Sequence, residues 1–441
     1  MDRSWSRKIL VIVMMAMLLM AACGGQPSNS GTPTNTGGLD PNKRYTVNFW
    51  EAFATGANKI SLEALTRRYM QLHPNVDVKL QAYDSYPTLK TKLTAAIAAG
   101  NPPTIAQVYE NWANQYQQSG ALVSLQPFIT GKNGLSQQDL QDFYPSLLQD
   151  GQIGGVQYEM PFNKSDEVLY YNVDALQRLG IAPPTTFQEL EADLTKVTKA
   201  DGSRWGLSFT PSSDEWSILY KLFGGGDFVT ADGKHSAFAS GANGKAAQQA
   251  LGELAPLVKS GAVHITQNFN WQNDFASQKS LFAISTIASY PFIVQAAANA
   301  FKLMEVPLPP GPAGQFTVLF GTNLSLFSGA SSDSLVAGWD YMKYLTGFEA
   351  GAAFVRETGY MPVRKSVFDS SNLQDYYGKV PARKAGPQSL KFAFVASIIP
   401  AWDQCRDIIT TNFIATLNGQ SQADAALTKT ASACDSALAQ G

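Results

Sequence analysis

Two carboxylates draw attention first. Glu51 in "FWEAF" and Glu110 in "QVYE" each close a short apolar run. A pair of carboxylates at strand ends is the equipment of glycoside hydrolysis, in which their separation sets the stereochemistry, or of hydroxyl binding without reaction. Arg406 lies between Asp403 and Asp407. Its planar guanidinium fork suits phosphate oxygens, and an arginine flanked by acids on a helix is also the makings of an ordinary surface ion pair. His73, His235 and His264 lie far apart, with no paired Cys/His spacing, which argues against a zinc site. The segment "FGGGD" (223–227) lacks the lysine of a phosphate-cradling GxxxxGK[ST] loop and reads as a helix end and turn.

The elements that must position these groups follow from periodicity. "YTVNFWEAF" is strand-like. "NKISLEALTRRYMQLHP" carries Ile60, Leu65, Tyr69 and Leu72 at helical spacing and is stopped by Pro74. "VDVKLQAY" predicts a second strand, "YPTLKTKLTAAIAAGNPP" a second helix and "TIAQVYE" a third strand. This β-α-β-α-β order argues for a mainly parallel α/β sheet, with functional groups gathered at the carboxyl ends of its strands. Further on, "EVLYYNVDALQRLGI" reads as strand then helix, and "TTFQELEADLTKVTKADG" as a Thr-capped helix with Leu190, Leu194 and Val197 inward. "FVTADGKHSAFAS" predicts a hairpin around Asp232-Gly233, "KAAQQALGELAPLVKSG" a long helix, and "SLFAISTIASYPFIVQAAANAF" a strand and helix. The 441 residues suffice for two or more lobes with full cores. A formal net charge of −2 offers no basic field for nucleic acid.

The N-terminus speaks to location. Arg3, Arg7 and Lys8 precede an apolar run from Ile9 to Ala22. That run is shorter than the ~20 residues of a membrane span and ends in small residues, the pattern of a secretory signal. Met20-Ala21-Ala22-Cys23 resembles the bacterial lipobox, with Met20 where leucine is usual. A small, polar stretch follows, "GGQPSNSGTPTNTGG", with nothing to bury. The expectation is acylation at Cys23 and a tether holding the remaining chain on the outer face of the cytoplasmic membrane. Cys405 and Cys434 could pair in such a compartment or remain as buried thiols.

The segments "FWEAF", "LTRRYMQLHPNVDVKL", "QVYE", "PFNKSDEVLYYNVDALQRLGI", "ETGYMPVRKSVF" and "LNGQSQADAAL" occur in the order seen in extracellular solute-binding proteins of carbohydrate-type ABC importers. The chain resembles this maltose-binding superfamily, and within it the glycerol-3-phosphate and glycerophosphodiester binders. The resemblance implies a type II periplasmic-binding-protein fold: two α/β lobes joined by hinge crossovers, closing on a ligand in the cleft between them. It implies a monomer without catalysis, cofactor or metal, delivering a polyol, sugar or glycerol phosphate to a membrane permease driven by a separate ATPase. The boundaries it suggests are a signal peptide (1–22), a tether (23–43), a first lobe (44–163 and 284–345) and a second lobe (164–283 and 346–441).

The resemblance also names ligand contacts. They are Tyr86, Glu110, Ser165, Trp216, Ser289, Gly321, Tyr360 and Arg406, the last as the phosphate binder. Tyr86, Tyr360 and Trp216 would offer flat faces to the C–H side of a polyol. Glu110 would accept hydrogen bonds from its hydroxyls, and Ser165 and Ser289 would act as small donors. Lys164, where the family has serine, is either a solvated hinge residue or a contact for an anionic ligand. Trp216 and Tyr360 are otherwise ordinary core aromatics. Other readings are a neutral-oligosaccharide receptor, a secreted glycosidase using Glu51 and Glu110, and a lipoprotein that presents its ligand to a sensor kinase.

Overall fold

The alternation that begins at Tyr45 builds half of a sheet. The computed structural model describes residues 36–395, 399 and 401–439. The leader, Cys23 and the tether up to residue 35 lie outside the described residues. Strand β1 (Tyr45–Glu51), helix α1 (Gly56–Leu72), β2 (Val76–Ala82), α2 (Tyr86–Ala98), β3 (Ile105–Val108) and α3 (Glu110–Gln118) follow in order, with β1 parallel to both β2 and β3. Tyr45, Val47, Phe49 and Glu51 are buried on one face of β1, as the two-residue period of a strand requires. Helix α2 starts where Ser85 Oγ accepts the Thr88 N–H and Pro87 occupies the first turn, two standard starting signals.

One helix face differs from the expectation. α1 buries Leu62, Leu65, Thr66 and Tyr69, whereas Ile60 is 66% and Leu72 51% exposed. At about 100° per residue, position 60 points nearly opposite position 62, so Ile60 faces water once Leu62 faces the sheet. Further along, the turn at Asp232-Gly233 carries a single antiparallel bridge, Val229 to Ser236, rather than a full hairpin. The long helix expected over 245–261 breaks into Gly241–Gly252 and Ala255–Lys259, with Pro256, which has no N–H to continue a helix, in the first turn of the second piece.

Several of the remaining elements complete the two larger sheets or frame the cleft. They are β4 (Glu159–Pro161), β5 (Ser165–Asn172), β6 (Trp205–Phe209), α4 (Ser213–Leu222), β7 (Val263–Ile265), α5 (Asn270–Ala276), β8 (Ser280–Thr286), α6 (Tyr290–Ala297), β9 (Leu303–Pro307), β10 (Thr317–Phe320), β11 (Asn323–Leu326), α7 (Ser332–Leu345), α8 (Phe348–Thr358), β12 (Ala393–Phe394), α9 (Trp402–Leu417) and α10 (Ala423–Leu438). The first sheet runs β2-β1-β3-β11-β4, and the second β12-β10-β5-β8-β6-β7 with β9 also on β5. Strands β8, β9 and β10 all pair antiparallel with β5. The return to the first lobe therefore falls at 321–322, not at 284. Helices α7 and α8 pack on β1 and α1, so the first lobe also extends past 345. Helices α9 and α10 pack on each other in the second lobe, α9 also on α4 and α10 on the helix Gly241–Gly252. Where they meet, Cys405 and Cys434 are free, buried thiols, with Cys434 Sγ 3.8 Å from the Cys405 carbonyl. The alternative of a bridge is not realised in this structure.

The crossovers between lobes meet at a buried ammonium. Lys164 is neither solvated nor turned to the cleft. Its Nζ lies 2.6 Å from Asp150 Oδ2 and donates to the Gly321 carbonyl at 2.9 Å, both side chains of the pair being 1% exposed. Its own carbonyl accepts the Met361 N–H at 2.9 Å. Gly321 has φ +91, and a Cβ there would stand 1.9 Å from the Asn163 carbonyl oxygen; only glycine permits this approach of two crossing strands. Asn163 Oδ1 accepts from Gln107 at 2.9 Å and Thr322 at 2.6 Å. Removing one partner of a buried ion pair costs about 3–5 kcal/mol. Lys164→Met is predicted to lower stability by that amount in urea unfolding, and Lys164→Met with Asp150→Asn by less. A loss under about 1 kcal/mol in the single variant would contradict the assignment.

Candidate ligand-binding cleft

Beyond the carboxyl ends of the strands, between the two sheets, lies a cavity of about 380 Å³, within the ~300–1,000 Å³ of small-molecule sites. The first lobe contributes Asn58 from the start of α1, Tyr86 from the start of α2, and Tyr109 and Tyr360; the second contributes Phe269, Gln272, Ser285, Ser289 and Phe292; Ser165 and Gly321 come from the crossovers. The aromatic groups are held by neighbours. Tyr86 and Tyr109 meet edge to face at 5.2 Å, and Tyr360 stacks on Phe354 at 5.7 Å. The Tyr86 hydroxyl accepts from Asn163 Nδ2 at 3.0 Å, which ties the cleft wall to the hinge. Ser285 and Ser289 join hydroxyls at 3.0 Å. Asn58 Oδ1 is buried and has no hydrogen-bond partner among the described residues, leaving an acceptor at the cavity wall. Phe269 is 70% and Phe292 39% exposed. Large apolar rings left open at a cleft are surfaces for an incoming apolar face.

Of the residues expected at the ligand, Tyr86, Ser165, Ser289, Gly321 and Tyr360 line this cavity together. Trp216 does not. It is fully buried in the second lobe's core, stacked on Tyr220 at 5.3 Å and edge-on to Phe238 at 5.3 Å. The apolar face of α4, with Leu219 and Leu222, carries the indole inward. Arg406 also lies outside the lining. Its Nη2 is 2.7 Å from Asp214 Oδ2 and its Nε 3.3 Å from Ser213 Oγ, and the Asp214 charge raises its already high pKa. Glu51 caps its own loop, accepting the Phe53 N–H at 2.5 Å. Glu110 begins α3 rather than ending β3. Neither carboxylate lines the cavity.

Asn58, Tyr109, Phe269, Gln272, Ser285 and Phe292 were missed from the sequence. Tyr109 is within reach of the strand-end rule, because it directly follows β3, one position before Glu110. Phe269 and Phe292 carry no local signal that distinguishes a rim aromatic from a core one.

Glu110 has an electrostatic role at the seam between the lobes. Burial pushes its carboxyl up to about 7, and the neighbouring Asp150 charge adds to this, while Lys164 and Arg406 pull it down. An unfolded glutamate titrates near ~4.3. Stability from this group is therefore complete below about pH 4 and is lost as pH rises through about 7. Glu110→Gln, neutral throughout, is predicted to melt above the unsubstituted protein at pH 8 and to show a smaller fall in melting temperature from pH 5 to pH 8. Parallel pH profiles for the two proteins would contradict this.

Two α/β lobes, chain crossovers between them at 162–164 and 321–322 and a cavity at the seam give the two-lobed, maltose-binding-like fold. The chain belongs to the bacterial extracellular solute-binding protein family, which matches residues 64–382. Among its relatives is the sn-glycerol-3-phosphate-binding periplasmic protein UgpB of Rhizobium meliloti, 25% identical over 419 residues, covering 89% of this chain and 94% of that protein. The UgpB of Escherichia coli K12 is 25% identical over 364 residues, covering 76% and 78%. Among solved structures, UgpB from Mycobacterium tuberculosis in complex with glycerophosphocholine superposes with a TM-score of 0.78 at 21% identity over 90% of this chain and 98% of that one. The GacH receptor of Streptomyces glaucescens, solved unliganded and with acarbose, gives 0.77 at 22% over 90% and 98%. These superpositions agree with the fold.

Proposed function

We propose that the chain is the solute-capturing subunit of an ABC importer, which takes a small hydroxyl-rich molecule outside the cytoplasmic membrane, closes its lobes on it and passes it to a membrane permease. The reading carries no catalysis: Glu51 and Glu110, the carboxylates a hydrolase would use, lie outside the cavity. One observation carries the choice of ligand. Among the described residues, the cavity lining holds tyrosines, phenylalanines, serines and amides and no Asp, Glu, Lys or Arg. Lys164 at the hinge and Arg406 at the seam are committed to Asp150 and Asp214. Such a site suits an uncharged sugar or polyol, with aromatic faces against its C–H surface and hydroxyls placed so that a wrong ligand leaves buried polar groups unmet. The second reading, glycerol-3-phosphate or a glycerophosphodiester, is favoured by what the UgpB relatives are named for. It would require Arg406 to exchange Asp214 for phosphate.

A thermal-shift panel of glycerol-3-phosphate, glycerophosphocholine, maltose and xylo-oligosaccharides separates the two readings. Ligand at a hundred times its Kd adds about 2.7 kcal/mol. The expected outcome is a shift with a neutral saccharide that Arg406→Ala retains and Tyr360→Ala loses. A shift given only by the phosphates and lost in Arg406→Ala would establish the second reading. The lipid anchor is part of the proposal: Cys23→Ala should leave the membrane fraction, and its retention there would remove the anchor from the account.

A further inference from the structure

Tyr86 opens α2 and faces the cavity; one turn later the same helix presents Lys90 to the other lobe. Lys90 Nζ lies 2.5 Å from Asp403 Oδ2, 313 positions away in the first turn of α9. The other Asp403 oxygen accepts from Asn111 Nδ2 at the start of α3. Lys90 also stands 5.5 Å from the centroid of the Trp112 ring. Helices α2 and α3 contribute Leu93, Trp112 and Ala113 to a first-lobe cluster with β3, whereas α9 contributes Trp402, Cys405 and Ile409 to the second-lobe core. The clasp thus joins elements that share no core. Arg406, the nearest cation on α9 itself, is engaged with Asp214 on α4, so the partners that hold Asp403 come from across the seam. On the other side of the cleft no ion pair is involved among the described residues: Gly56 of the first lobe faces the Phe292 ring of the second, which a Cβ on Gly56 would meet at 3.5 Å.

We propose that Lys90, Asn111 and Asp403 form an interlobe latch that favours the closed arrangement before any solute is bound, and so raises affinity without touching the solute. The inference rests on the reading of the chain as a closing receptor. Rotation about the crossovers at 162–164 and 321–322 cannot carry α9 away from α2 and α3 without parting Asp403 from both partners. In the open form Lys90 and Asp403, each already about one-third exposed, return to water at little cost, so the latch is weak and reversible. A ligand then has less closing to drive, because affinity scales with the fraction of molecules already competent to bind. Because the latch is ionic and partly wet, salt weakens it. The apolar approach of Gly56 to Phe292 on the opposite rim has no such dependence.

The test needs no identified solute. The radius of gyration of the ligand-free protein is measured by solution scattering at 20 mM and 500 mM sodium chloride, for the unsubstituted chain, Lys90→Met, Asp403→Asn and the exchange Lys90→Asp with Asp403→Lys. The proposal expects a larger radius in both single variants at low salt, and a rise with salt in the unsubstituted chain that neither single variant shows. The exchange should recover part of the compaction. Unchanged melting temperatures separate this from misfolding. If both single variants match the unsubstituted chain at each salt concentration, the latch is overturned. In that event, compaction of all four proteins by a solute that shifts the thermal panel leaves the receptor reading standing, and no compaction by any solute overturns the receptor reading too.

Discussion

A lysine ammonium with almost no access to water must find its counter-charge and its hydrogen bonds inside the protein, and the places where Lys164 finds them organise the molecule. Asp150 comes from the first lobe, the Gly321 carbonyl from the second crossover, and the Met361 N–H that meets the Lys164 carbonyl from the segment after α8. Chain segments far apart in sequence are thereby held at one point. Burying such a pair is no cheap route to stability, because desolvation offsets most of the attraction. Its effect here is geometric: once the pair forms, the crossovers have one register and the lobes one axis. Gly321, in the second crossover and pressed against Asn163 of the first, admits no side chain for the same reason.

The cleft inherits its character from that arrangement. With Lys164 spent on the hinge and Arg406 on Asp214, the cavity is walled by hydroxyls, amides and rings. The hinge reaches the wall through Asn163, which holds Gln107 and Thr322 by its carbonyl and Tyr86 by its amide. Displacement of Tyr86 by a ligand is therefore felt at the crossover one bond away. Charge is concentrated instead along the seam, where Lys90 of the first lobe meets Asp403 of the second, with Glu110 and the second lobe's Arg406–Asp214 pair close by. Recognition and closure are thus served by different side chains: uncharged groups meet the solute, and ionised groups meet across the seam.

Much of this was legible in the sequence because it is local. The strand-helix alternation from Tyr45, the threonine cap realised by Thr186 and the inward Leu190, Leu194 and Val197 of one helix follow from short-range rules. Motif resemblance brought Tyr86, Ser165, Ser289, Gly321 and Tyr360 to one cavity, although they are spread over most of the chain. What failed was decided by tertiary context. "SLFAIST" is a good strand in either lobe, and only its pairing with β5 assigns it to the second. Trp216 and Phe292 are both aromatic residues on helices, and nothing nearby says that one fills a core and the other a rim. Arg406 carries the chemistry of a phosphate site, but Asp214, nearly two hundred residues earlier, holds it first. The buried state of Lys164 was invisible for the same reason, since Asp150 lies fourteen positions away across a turn of chain that no periodicity predicts.

The most direct measurement is a crystal structure of the protein with the solute that it retains when purified from its own cells. The account predicts that solute in the cavity beside the hinge, its C–H faces against Tyr86, Tyr109 and Phe292 and a donor on Asn58 Oδ1, with the Lys164–Asp150 and Arg406–Asp214 pairs intact. A solute held by the Arg406 guanidinium with Asp214 displaced, or one seated away from the seam between the lobes, would contradict it.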